Sequence, residues 1–195
     1  MMTSNIKIVE QPERPLAMNP KKFALWLFII TVVMIFASLT SAYIVRQAEG
    51  NWRIFELPVE LYYTTAIIIL SSITMQWAYM AAKKDALQQV KIAISITTVL
   101  GIMFLIGQFY TWGVLVDMKV NFTGGNPSES FLYVLMGVHA LHLVSGVIFL
   151  IIVLISTFRY KVHSKNLNQI QMCNTYWHFL DILWVYLFLF LLLNN

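Results

Sequence analysis

Five runs of apolar residues, each long enough to cross a lipid bilayer, set the terms on which this chain can fold. A hydrocarbon core about 30 Å thick is crossed by roughly 20 residues at about 1.5 Å of helical rise each. Such runs occupy residues 23–45, 61–82, 92–116, 131–158 and 175–193. Lipid offers no hydrogen bonds to a backbone, so each run is expected to be a helix that satisfies its own peptide groups. The expected fold is therefore all-α: a polytopic bundle of five transmembrane helices over residues 23–193, behind a cytoplasmic N-terminal segment, 1–22. Charge argues the same way. Only 22 of 195 residues, 11%, are Lys, Arg, Asp or Glu, against about 25% in a soluble domain. That excludes a soluble enzyme, a disordered tail and a nucleic-acid module, because a net charge of +4 dispersed along an apolar chain is no basic patch. A single cysteine, Cys173, excludes a disulfide framework and a cysteine-cluster metal site.

Charges bound the spans and predict their direction. Lys21 and Lys22 precede the first, Arg46 follows it, Lys83, Lys84 and Asp85 follow the second, Asp117 closes the third, and Arg159 with Lys161 closes the fourth. Asn19 and Pro20 suit an N-cap and a first helical residue. One side collects ten Lys/Arg (Lys7, Arg14, Lys21, Lys22, Lys83, Lys84, Lys91, Arg159, Lys161, Lys165) and the other three (Arg46, Arg53, Lys119). The basic side faces the cytoplasm, which predicts an inside N-terminus and an outside C-terminus. A polar leader with Pro12 and Pro15 has no signal-peptide core, so the first span is expected to remain as an anchor. With no loop above about 15 residues, the function is expected to reside in the bundle itself.

An ionisable group at the bilayer centre costs roughly 3 kcal/mol or more, which makes it a functional candidate. One charged residue qualifies, Asp181, with His139 and His142 in span four and His178 in span five. Each spacing of three puts a pair on one helix face. Asn174, His178, Asp181 and Trp184 form a polar and aromatic face that should point into protein. At about 1.5 Å per residue, Asp181 and Gln76 each lie about 9 Å from inner span ends, with His178, Thr97 and Thr98 near that depth. His139 and Gln108 lie about 12 Å from outer ends. Asp181 is thus expected to pair with His178 or to accept from Gln76 or the threonines, since an unpaired carboxylate is driven to its neutral form.

Plainer roles stand beside the functional ones. Asp181 and His178 could join helices, touch a lipid headgroup or subunit, or transfer protons. Haem ligation needs facing histidines at matched depth, and His178 lies near the opposite membrane face from His139. No Cys or carboxylate completes a tetrahedral set with His139 and His142. Trp26, Trp52, Trp112 and Trp177 fit an aromatic belt, with Trp26, Trp112 and Trp177 as lipid or subunit contacts. Ala37, Ser38, Ser41, Ala42, Gly101, Gly107 and Gly113 are expected to let helices approach closely. Asn121-Phe122-Thr123 matches a glycosylation sequon of low specificity.

The motifs carry a resemblance that physics does not supply. Tyr176-Trp177-His178-Phe179-Leu180-Asp181-Ile182-Leu183-Trp184 resembles the last-helix signature of subunit III of the haem-copper respiratory oxidases. Gly137-Val138-His139-Ala140-Leu141-His142, preceded by Ser130-Phe131-Leu132-Tyr133, is similar to that family's paired-histidine motif. Gly107-Gln108 with Trp112, and Leu25-Trp26-Leu27-Phe28-Ile29, add support. The resemblance covers nearly everything from Lys22 to Leu193 and fits the five-helix form, without the first two helices of the seven-helix form. It departs at Thr31-Val32-Val33, where many members have a glutamate in a Ser-Glu-Val context. Val32 is neither acid nor base, which leaves Asp181 as the intramembrane acid.

The resemblance implies a subunit without a redox cofactor of its own, the haem and copper lying in partner subunits. It implies a position beside subunit I and other oxidase subunits, phospholipid in clefts, and support of sustained turnover and proton uptake. The setting would be a bacterial inner membrane, in a proton-pumping terminal oxidase such as cytochrome c oxidase, with a larger respiratory supercomplex as a further candidate partner. Two rivals from other classes are a haem-carrying membrane anchor using the three histidines and a proton-coupled transporter using Asp181. The second would be expected to show broken helices at mid-membrane, and none of the five spans contains proline.

Overall fold

Each apolar run lies within one continuous helix: α1 Pro20–Ala48, α2 Glu60–Lys83, α3 Leu87–Asp117, α4 Pro127–Phe158 and α5 Asn168–Asn194. The computed structural model describes residues 19–50, 52, 57–120, 122, 126–159 and 167–194. Lys7, Arg14, Arg53, Lys161, Lys165 and the sequon residues Asn121 and Thr123 lie outside the described residues, as does most of the expected N-terminal segment. The shortest helix, α2, has 24 residues and so is about 36 Å long. All five can cross a membrane by length and composition, and the described residues contain no strand.

The helices begin and end on identifiable chemistry. Asn19 is the N-cap of α1, its side chain accepting from the Lys21 N–H at 3.0 Å, with Pro20 at the first helical position. Asn126 and Pro127 repeat the device on α4, where Asn126 accepts from Ser128 N–H at 3.2 Å. This cap starts α4 four residues before its apolar run, and α5 likewise opens seven residues early, on a stretch that includes Asn168, Gln169, Gln171 and Asn174. The α2–α3 connection is three residues long. Ala86 N–H bonds to Ala81 O at 3.1 Å and Asp85 N–H to Ala82 O at 3.3 Å, with Asp85 at φ 52°. This is a Schellman stop with an aspartate where glycine is usual. Lys119, at φ 60°, ends α3 in the same way.

Contacts between helices define the layout. α2 packs on α3, α3 on α4, α4 on α5, and α5 returns to α2, closing a ring of four. α1 stands outside this ring against α4 and α5. The ring interior holds Trp177, Trp184, Phe104, Ile94 and Leu135, each buried. The outer surface is as apolar as the inside: Leu141, Ile106, Met34 and Ile182 are exposed. In water that pattern would be unstable; against lipid tails it is the expected one. Ala37, Ser38, Ser41 and Ala42 of α1 all face outward, so in this chain they do not serve the close helix contact expected of them. Arg46 and Glu49 form an ion pair at the far end of α1.

Candidate functional site

The chemistry collects on α5, and the first thing that positions it is a pair of indole rings. A buried tryptophan strands its N–H unless an acceptor meets it. Trp177 and Trp184, one heptad apart, both donate to hydroxyls of α2: Trp177 Nε1 to Ser71 Oγ and Trp184 Nε1 to Thr65 Oγ1, each at 3.0 Å. These two rungs fix the antiparallel register of α2 and α5. Trp177 was expected at the membrane interface, but only 1% of it is exposed, so it is no lipid contact. Its six-membered ring fills the space left by two glycines. A β-carbon at Gly101 would lie 2.7 Å from Trp177 Cη2, and one at Gly146 would lie 2.7 Å from Leu180 Cδ1 and 3.3 Å from Trp177 Cζ3. Gly107 has the same role toward α2, where a β-carbon would lie 2.6 Å from Thr64 Cγ2. Gly113 does not share it, having nothing within 4 Å.

Along the same seam lies a polar cluster. Gln76 Oε1 receives Asn174 Nδ2 at 3.3 Å and His178 Nε2 at 3.2 Å. An amide oxygen cannot donate, so His178 carries its proton on Nε2 when neutral, and its Nδ1 accepts from the Ser72 hydroxyl at 2.6 Å. Asp181 is 4% exposed, and although the Ser72 hydroxyl lies beside its carboxyl, neither oxygen completes a hydrogen bond. The expected bonds from His178, Gln76 or the threonines are not formed. His178 donates to Gln76 instead, while Thr97 and Thr98 donate to the carbonyls of Ala93 and Ile94.

The paired histidines occupy a separate place. His139 is fully buried, and neither ring nitrogen has a partner. Aromatic rings surround it: Trp184 with centroids 5.1 Å apart, and Phe36 and Phe104 at 6.4 Å each. His142 instead donates Nδ1–H to Val138 O at 2.7 Å. Tyr176 reaches the same turn, its hydroxyl 2.7 Å from Ser145 Oγ and 3.3 Å from His142 O. Gln108, expected in the layer of His139, donates to Thr64 Oγ1 at 3.3 Å. Val32, at the position of the family glutamate, is buried. Trp26 is exposed beside Lys22, and Trp112 is half-buried with its N–H unpartnered. A second buried acid, Glu129, sits in the first turn of α4, outside the apolar run but where the helix dipole favours a carboxylate.

The structure thus joins Gln76 to His178 and Trp184 to His139, and leaves Gln108 and Trp26 apart from both groups. The residues that sequence reasoning missed are the acceptors Thr64, Thr65, Ser71 and Ser72 on α2. Their signal was present as hydroxyl pairs seven residues apart in an otherwise apolar helix. Among the described residues no three His, Cys, Asp or Glu side chains converge as a metal site would require.

The sequence is similar to known proteins along most of its length. A family model described as cytochrome c oxidase subunit III matches residues 14–194. A Corynebacterium diphtheriae protein named "Cytochrome c oxidase subunit 3" is 30% identical over 200 aligned positions, covering 96% of this chain and 97% of the relative. A Staphylococcus saprophyticus protein named "Probable quinol oxidase subunit 3" is 30% identical over 176 positions, 87% of each chain. A Bacillus protein named "Cytochrome c oxidase subunit 3" is 28% identical over 184 positions, 91% of this chain and 88% of its own. Similarity running nearly end to end, on a bundle of five membrane-crossing helices, leads to one conclusion: the chain belongs to the cytochrome c oxidase subunit III family.

Proposed function

We propose that this multi-pass membrane protein is the non-redox accessory subunit of a proton-pumping haem-copper terminal oxidase, in a bacterial inner membrane with its N-terminus inside. The single observation that carries the reading is the family match over residues 14–194. Membership implies other oxidase subunits as partners. Subunit I is the one this chain sits beside, and it carries, with its neighbours, the haem and copper that reduce oxygen to water. The electron donor docks on another subunit; relatives named for quinol and for cytochrome c oxidases are alike 30% identical to this chain. The contribution of this chain is to sustain turnover and proton uptake by subunit I.

Local geometry supports the division of labour. His139 is enclosed by Phe36, Phe104 and Trp184, a space that three side chains already fill. Both nitrogens of His178 are engaged, by Ser72 and Gln76. This arrangement favours the accessory role over a haem-carrying anchor. The five helices run without a mid-membrane break, which argues against the transporter reading.

The groove between α1 and α5 suits a phospholipid. A cavity of about 340 Å³ opens there, lined by Val33, Phe36, Ala37, Phe179, Ile182, Leu183 and Tyr186. Lys22, Trp26, Gln171 and Thr175 line a smaller cavity of about 110 Å³ in the same groove at the basic membrane face. Val33 is eleven residues along α1 from Lys22, about 16 Å, a distance an acyl chain spans from a headgroup held near Lys22.

Gentle purification through a tag on this chain, followed by mass spectrometry and a visible spectrum, tests the proposal. Haem-copper subunits should be recovered with it. Their absence, or a reducible haem band in the chain freed of subunit I, would overturn the reading.

A further inference from the structure

The hydrogen bond between Gln76 and His178 lies at the surface of the bundle, at a depth where lipid offers nothing polar. Gln76 is seven residues from the Lys83 end of α2, about 10 Å into the membrane. Its two-carbon stem is too short to bring the amide back to the interface, as a lysine would do. Gln76 is exposed and His178 half-exposed.

Hydroxyls on lipid-facing positions have an escape that these groups lack. Thr31 and Ser38, both exposed, donate to carbonyls of their own helix, at Phe28 O (2.7 Å) and Ile35 O (2.8 Å). A carboxamide and an imidazole are not satisfied in that way. Gln108, Asn174, His139 and His142, the other amide and imidazole side chains at membrane depth among the described residues, are all buried. The α2–α5 seam is the one place there where such groups reach the surface.

The seam is also short of hydrogen-bond partners. Gln76 Oε1 is occupied by Asn174 and His178, which leaves the amide N–H pair for a further acceptor. Behind it, Asn174 Oδ1 and both oxygens of Asp181 are buried and unpartnered. Ile73, Trp77 and Ile182, all exposed, surround this polar centre with apolar surface. A polar centre in an apolar rim is how helices associate within a bilayer, where interhelical hydrogen bonds and packing replace the hydrophobic drive.

We infer that the α2–α5 face around Gln76 and His178 is the seat of a transmembrane helix from a neighbouring oxidase subunit. That helix presents a hydroxyl or carboxamide acceptor to the Gln76 amide. The inference rests on the proposed function for the identity of the partner. A lipid phosphate is the wrong occupant, because headgroups stay at the interface, about 10 Å away from Gln76 along the membrane normal.

Photo-cross-linking in membranes that contain the whole oxidase tests this. A photoreactive phenylalanine analogue replaces Ile73 or Trp77 on the rim, with Ile106 on the outer face of α3 as the comparison. The expected result is a cross-link from positions 73 and 77 to another oxidase subunit, at least several-fold above that from Ile106. Products with lipid only, products with a second copy of this chain, or equal yields from Ile106 would each overturn the inference. A parent chain that fails to co-purify with haem-copper subunits would sink the proposed function as well; normal co-purification with lipid-only products would sink the docking face alone. In parallel, Gln76→Leu should raise the rate at which the chain dissociates from the solubilised oxidase by about threefold, the usual weight of one interhelical hydrogen bond. An unchanged rate would count against the face.

Discussion

Adding one methyl group at Gly101 probes the packing that sets the register of α5. A β-carbon there would stand 2.7 Å from Trp177 Cη2 and 3.0 Å from Cζ2, where carbon contacts settle at about 3.5–4.0 Å. The ring has nowhere to go. Its opposite edge lies against Gly146, where a β-carbon would be 3.3 Å from Cζ3, and its N–H is held by Ser71. Overpacking of this kind costs about 1–3 kcal/mol, and contact with a rigid ring places Gly101→Ala toward the upper end. Alanine regains roughly 1 kcal/mol of helix propensity over glycine, so the net loss should be about 2 kcal/mol. Gly113→Ala, with nothing within 4 Å, collects the propensity gain alone. Reversible unfolding in mixed micelles should therefore separate the two variants by about 3 kcal/mol. Trp177→Phe, which removes the clashing ring, should recover part of the loss in the Gly101→Ala background, a non-additivity of about 1 kcal/mol or more. Equal stabilities for the Gly101 and Gly113 variants would refute the claim that Trp177 is wedged.

Three further outcomes follow from the same structure. Asp181→Leu removes carboxyl oxygens that have no partner, so the thermal stability of the chain should hold or rise, by up to about 3 kcal/mol; a fall would mean that the carboxyl is a structural bond. An oxidase lacking this chain should begin with near-normal electron transfer and lose activity over successive turnovers, as followed by oxygen consumption, and unchanged endurance would contradict the accessory role. A membrane-impermeant thiol reagent should label a cysteine placed at Asn195 in intact cells stripped of their outer layers, whereas a cysteine at Ser4 should react only in inverted vesicles; the reverse pattern would invert the orientation read from the basic residues.

The five helices were legible because lipid permits almost no other backbone and demands long apolar runs to cover it. The helix ends were less so. Hydropathy reports the solvent, while helix termination reports hydrogen bonding, and Asn126-Pro127 carries the same capping chemistry as Asn19-Pro20 although it lies four residues outside the apolar run. Of the face Asn174, His178, Asp181 and Trp184 that spacing alone turned into the protein, Asn174, Asp181 and Trp184 are buried, whereas His178 reaches the surface of the bundle. Trp177 could not be placed by its proximity to a span end, because a tryptophan there fits an interfacial belt as well as a core. Its seven-residue spacing from Trp184 was the better guide, since residues one heptad apart share a helix face. Which acceptors meet these groups depends on the rotation and register of α2, and no single helix encodes that. For the same reason the state of Asp181 was not legible: the Ser72 hydroxyl beside its carboxyl is directed to His178 Nδ1 instead.

The ring of four helices also bears on how such a chain is made. Helices enter the membrane in order, and α1, α2, α3 and α4 are all present before α5 arrives. Until then Thr65 and Ser71 have no indole to meet, and α1 has only α4 to lean on. The last of the five helices is therefore the keystone: it touches α1, α2 and α4, and its insertion turns an open row into a closed ring. A chain stopped short of Asn168 would display an unfinished polar edge to the lipid, a ready mark for membrane proteases that remove incomplete products before they reach a partner.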